Sequence, residues 1–287
     1  MKKKEVNFEE IIKLRLDDYL SWRLKWFNNF HVPRGKKSVL ISGLPGIGDV
    51  GRISVEYLIL KFKAKKIATI SSPLMPSKVS ITRKGIIKKP EVSLYAKYDK
   101  DKVIYFLTGD FQPSEGWPAY SFTDALLKII KKLKCDLIIT IGGVTSIINE
   151  DDRIFCFSND YAILKNFRTS KMITEPETFM INNIYGVAGL LVGLAKDYGI
   201  NALCLLVETK IEPPEPNIKG AHQIIKLINK KLSLNIPTKD LTKDFNDMKK
   251  KYIGKIESLM NFLNQEIEKE ISDDSKPEKE RDKIYIG

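Results

Sequence analysis

A three-layer α/β fold around a mixed sheet is predicted for this chain from three observations. Short apolar runs alternate with helical patterns along most of its 287 residues. Between residues 78 and 108 that alternation gives way to β-like runs so close together that they must pair antiparallel. A hydrophobic content of 43% supplies enough apolar material to cover a sheet on both faces.

The elements follow in order. Ile11, Ile12, Leu16, Tyr19, Leu20, Leu24 and Phe27 recur near helical spacing and predict an amphipathic helix over 8–30. A strand over 39–41 enters the stretch GLPGIGDVG, and the apolar spacing of 50–62 continues as a helix. After a strand over 67–70, short runs at 78–81, 86–88, 92–98 and 103–108 are separated by RKG, KKP and DKDK, as in a meander. Alternation then resumes with a helix over 117–133, strands over 137–141 and 153–157, a helix over 184–198, a strand over 202–207 and a helix over 219–232. Beyond Pro237, Leu241, Phe245, Met248, Tyr252, Ile256, Leu259, Leu263 and Ile267 recur every three or four residues, which predicts one long amphipathic helix. The segment SDDSKPEKERDK is too charged to bury and reads as a mobile linker before a final IYIG. The expected organisation is an α/β domain over 1–237, a helical appendage over 238–271 and a tail over 272–287.

Composition narrows the function classes. The three cysteines lie far apart with no C-x-x-C, so neither a disulfide framework nor a zinc site is expected and the thiols read as buried small hydrophobes of a cytoplasmic protein. The opening MKKKEVNFEE has acids where a secretory leader needs an apolar run, and the stretch IYGVAGLLVGLA is far short of the roughly 20 residues that cross a bilayer. A formal charge of +12 would suit nucleic acid, but the lysines are dispersed and no recognition motif accompanies them, so a solvated surface is the better reading.

Gly46, Gly48 and Gly51 match G-x-G-x-x-G, the dinucleotide fingerprint. That site also needs an acid about 20 residues on for the ribose hydroxyls, yet there is no Asp or Glu from Tyr57 to Pro90. Lys65 or Lys66 could serve a 2′-phosphate, but Asp49 inside the turn opposes an incoming anion and is better placed to cap the helix. A Walker loop fails as well, because Asp49 and Val50 stand where Lys and Ser or Thr belong. Gly43, Pro45, Gly46, Gly48 and Gly51 are therefore read as a structural turn filled by its own chain, with no cofactor and no room for a diphosphate.

With these blocks in view, GLPGIGDVG resembles the opening of the proteasome assembly chaperone family, which contains the second eukaryotic assembly chaperone and archaeal relatives. PSKVSITRKG, TGDFQP, ITIGG and GVAGLLVGLAKDYGINALCLLVET follow in that family's order, over about residues 39–237. The resemblance implies a phosphorylase- and hydrolase-like fold, self-association into homo-oligomers or pairing with a related chain, and binding to proteasome α subunits or the α ring without catalysis.

Candidate chemistry is sparse. Of the two histidines, His31 and His222, neither stands beside a nucleophile motif, and no G-x-S-x-G occurs. Asp110 and Glu208 end apolar strands, where α/β ligand sites lie, but no second acid is tied to either by spacing, so loop anchoring is expected. Related sequences have been grouped with ATP-grasp ligases, which keeps a nucleotide-dependent ligase or other small-molecule enzyme, working near Gly46, Asp110 and Gly142, as the alternative function. The family resemblance also implies a docking tail that ends in a hydrophobic residue, Tyr and any residue. Here Ile284, Tyr285, Ile286 and Gly287 put the tyrosine third from last, which displaces the terminal carboxylate from the ring by up to about 3.5 Å.

Overall fold

The computed structural model describes residues 22–27, 35–82, 84–99, 101–145, 153–169, 172–174, 182–209 and 216–274. The chain divides into two units, Met1–Asn235 and Ile236–Gly287.

The first unit is built on a nine-stranded mixed sheet. Its strands are β1 (Arg23–Trp26), β2 (Lys37–Ser42), β3 (Lys65–Ser71), β6 (Val92–Tyr98), β7 (Lys102–Gly109), β8 (Leu137–Thr145), β9 (Ile154–Ser158), β10 (Met172–Ile173) and β11 (Asn201–Thr209), in the spatial order β1-β3-β6-β7-β2-β8-β11-β9-β10. The central four, β7, β2, β8 and β11, run parallel. β6 and β3 extend one side antiparallel, and β9 reverses direction against β11 on the other. The predicted meander is thus divided: β6 and β7 join the main sheet, while β4 (Ser80–Ile81) and β5 (Ile87–Lys88) form a separate two-stranded ladder.

Helices cover both faces, as the fold class requires. Alternate residues of the parallel strands, Leu40, Tyr105, Leu107, Ile138, Cys204 and Leu206, join one buried cluster with Phe122, Leu126 and Ile130 of α2 (Trp117–Lys132) and Leu191 and Ala195 of α4 (Val187–Ala195). On the opposite side α1 (Val50–Phe62) packs against β7, β8 and α5 (Ile218–Leu232), burying Val55, Leu58, Ile224 and Ile228 completely. A short α3 (Tyr161–Phe167) follows β9, started by Asp160, whose Oδ1 accepts from the Ile163 amide at 2.9 Å. The second unit contains α6 (Thr238–Asp274).

The helix predicted over 8–30 is corrected where it can be seen: Arg23–Trp26 is a strand, paired antiparallel with β3 from Arg23↔Ser71 to Trp26↔Ala68. Leu24 and Trp26 are half-buried while Arg23 and Lys25 are exposed, the period of two that a strand on a sheet edge demands. Just before it the Trp22 indole donates to Ser121 Oγ at 3.0 Å and meets Phe122 edge-on, tying this edge to α2. The rest of that predicted helix, like the tail from residue 275, lies outside the described residues.

Cys135, Cys156 and Cys204 are all free and buried, and burial pushes each thiol up to about 12. A thiol-specific chromogenic reagent at pH 8 is expected to find none of the three in the native protein and all three in guanidinium chloride; rapid labelling of the native chain would contradict this packing.

Candidate functional site

β2, α1 and β8 meet at the glycine turn with almost nothing but main chain between them. Gly43 follows β2 directly and its amide donates to Leu107 O at 2.9 Å. A Cβ on Gly43 would stand 2.0 Å from Gly51 O, and one on Gly51 would stand 2.3 Å from Ile141 O in β8. Gly143 is constrained from the other side, since its Cβ would fall 2.1 Å from Ile47 O. Gly48 has φ +58°, in the left-handed region, and a Cβ there would lie 2.4 Å from Thr209 Cγ2.

Asp49 is placed differently from the sequence expectation. It too is left-handed, at φ 53°, and its carboxylate makes no capping bond to α1. It forms an ion pair with Arg52 in the first turn of α1 instead, accepting from Nε at 2.8 Å.

The turn is not closed everywhere by its own chain. Gly46 has nothing within 4 Å of an added Cβ, and with Pro45 it borders a cavity of about 660 Å³. The cavity lies outside the carboxyl ends of β2 and β8. The chain leaves β2 toward β3 on one side and β8 toward β9 on the other, so this crevice is a topological switch point, where open α/β sheets hold ligands. Its far wall is the entry to α4, where Gly186 at φ +80° brings the backbone close over Gln112 Oε1. Carboxamides of Gln112, Asn182 and Asn183 and the carboxylate of Glu115 line it among apolar side chains, and no Lys, Arg or His is present among its described lining residues. That composition suits a neutral, hydrogen-bonding group better than a triphosphate. Gln112 stands in TGDFQP, and Gly142 and Gly143 in ITIGG, so those blocks carried a legible signal; Asn182, Asn183 and Glu115 carried none.

The remaining candidates separate. Glu208 is buried and held in a fork by Arg153, with Nε–Oε2 at 2.5 Å and Nη2–Oε1 at 2.7 Å, which anchors β11 to the start of β9. Asp110 borders a different cavity of about 480 Å³ with Glu56, Lys66, Lys88, Lys89 and Glu91. His222 lies on α5, where burial and the nearby Lys226 hold its imidazole below the usual range; His31 is outside the described residues. Among the described residues no three His, Cys, Asp or Glu side chains converge as metal ligands, and no helix is long and apolar enough to cross a membrane. Ile284, Tyr285, Ile286 and Gly287 lie outside the described residues.

The family model for the PAC2 family matches residues 40–253, a span that takes in the glycine turn, the cavity and all the family-like blocks. The chain belongs to the PAC2 family. An uncharacterized protein of Methanocaldococcus jannaschii is 26% identical over 253 residues, covering 88% of this chain and 93% of its relative. Among solved structures, Pyrococcus furiosus PbaB, described as an archaeal proteasome activator, matches with a TM-score of 0.70 at 23% identity over 82% of this chain and 98% of its own. P. furiosus PbaA, an archaeal homolog of proteasome-assembly chaperone, matches with a TM-score of 0.60 at 18% identity over 88% and 99%. The family and fold expected from the sequence blocks are those found, and the likeness to the solved structures is one of fold.

Two glycine substitutions separate packing from open space. Gly51→Ala is expected to lower stability by about 3 kcal/mol, because the Ile141 carbonyl cannot retreat from a sheet interior. Gly46→Ala, facing the cavity, should change it by less than about 0.5 kcal/mol. Urea denaturation of both variants checks the pair.

Proposed function

We propose that this PAC2-family chain is a non-enzymatic proteasome chaperone or activator that binds proteasome α subunits, in part through its last four residues. The observation that carries the reading is the family match over residues 40–253. The fold shared with PbaB, whose own role is activation of an archaeal proteasome, supports it. Tyr285 with Ile284 and Ile286 would supply an apolar anchor at the end of a hydrophilic segment, a residue combination with little use in water and a ready one in a pocket between subunits. If several copies associate, their tails act together, and the effective concentration of linked tails turns weak single contacts into firm attachment.

The ligase alternative draws on the cavity at the strand ends, but the lining described above offers no cation for a nucleotide's phosphates.

Deletion of residues 284–287 is expected to weaken binding to purified α rings by at least about tenfold, as loss of an anchoring aromatic does elsewhere. Unchanged affinity by surface plasmon resonance would remove the tail from the mechanism. In a melting experiment with Mg-ATP, no saturable rise in Tm is expected; a rise of several degrees would favour the ligase.

A further inference from the structure

The β4–β5 hairpin presents a surface that the function proposed above does not use. Ile81 lies directly opposite Ile87, and Ser80 opposite Lys88. Side chains alternate along a strand, so Val79, Ile81 and Ile87 share one face, with exposures of 55%, 72% and 65%. The strand ends are bonded to each other: Thr82 N donates to Ile86 O at 2.9 Å, Gly85 N to Thr82 O at 2.9 Å, and Ile86 N to Thr82 Oγ1 at 3.0 Å, with Gly85 at φ +74°. Such a turn holds the apolar face in shape although a ladder of only two strands is marginal in water by itself.

Three observations say what covers it. First, Lys78 and Lys84 flank the apolar residues along the chain, Lys88 lies with Ser80 on the other face of the ladder and Lys89 follows it, and no acid occurs in the sequence from Tyr57 to Pro90. Lys88 and Lys89 also border the cavity lined by Glu56 and Asp110; Lys78 and Lys84 form no ion pair with a described residue. Second, two copies meeting face to face would set these lysines against their own counterparts, on a chain already carrying +12. Third, among the described residues β4 and β5 each have an unpaired backbone edge, which a protein can bond and hydrocarbon cannot.

We propose that this hairpin docks onto an acid-rimmed apolar surface of a partner protein, with Val79, Ile81 and Ile87 as its apolar centre and the lysines as its rim. Resting on the function proposed above, that partner is a proteasome α subunit, and the hairpin is a contact separate from the tail.

The test compares the full chain with Ile81→Thr/Ile87→Thr, which keeps β-branching, and with Lys84→Gln/Lys88→Gln/Lys89→Gln. Binding to purified α rings is measured at several salt concentrations, with circular dichroism and Tm showing that each variant is folded. The isoleucine variant is expected to lose at least about tenfold in affinity, and the lysine variant to show a flatter dependence of association rate on salt. Unchanged affinity and unchanged salt dependence in folded variants, while the parent chain binds, overturn the hairpin contact alone. Failure of the parent chain to bind α rings overturns the functional reading and this inference with it. A smaller oligomer in the isoleucine variant without α rings would make the hairpin a self-association surface, and loss only of binding to vesicles of anionic phospholipid would make it a membrane contact; either result overturns the proposal.

Discussion

Where β2 ends, α1 begins and β8 passes alongside, three stretches of main chain approach to distances that admit no side chain. A Cβ at Gly43, Gly51 or Gly143 would stand between 2.0 and 2.3 Å from a carbonyl oxygen of a neighbouring segment. Because the approach is between backbones, the neighbours have no flexible end with which to yield. This contact sets the height of α1 over the sheet, so α1 can bury Val55 and Leu58 against one face while α2 and α4 fill the other. It also fixes the mouth of the crevice between β2 and β8, since Pro45, Gly46 and Ile47 are held out over Gly142 and Gly143.

That crevice occupies the position at which α/β sheets hold small molecules, but its chemistry departs from that of a nucleotide site. The glycines that resemble a dinucleotide fingerprint are used mostly for packing, and Asp49 turns to Arg52. Of the two acids that end strands, Glu208 is absorbed into structure in its fork with Arg153, while Asp110 borders the second cavity.

The surface carries the features left unexplained by packing. The β4–β5 hairpin, with Val79, Ile81 and Ile87 on one face, places hydrophobic area where water meets it. Such exposure suits a surface that a partner covers, as proposed above, and the proposed hairpin and tail contacts would each be weak and reversible alone and firm together.

Much of the fold was legible in the sequence because its signals are local. Strands such as Val92–Tyr98 and helices such as Val50–Phe62 announce themselves by the period of their apolar residues, and the family by the order of its blocks. Residues 23–26 were misread because Leu24 and Phe27, three apart, continue the helical spacing of the apolar residues before them, and only pairing with β3 puts Leu24 and Trp26 on one face instead. The site was legible only in part. That the glycines allow a turn follows from their chemistry; that Gly51 must clear Ile141 while Gly46 faces empty space depends on residues about 90 positions away, whose approach no local pattern encodes. Composition and period determined the layers and the family, and tertiary structure alone decided which glycines are packed and which acids are paired, because both are properties of long-range contacts.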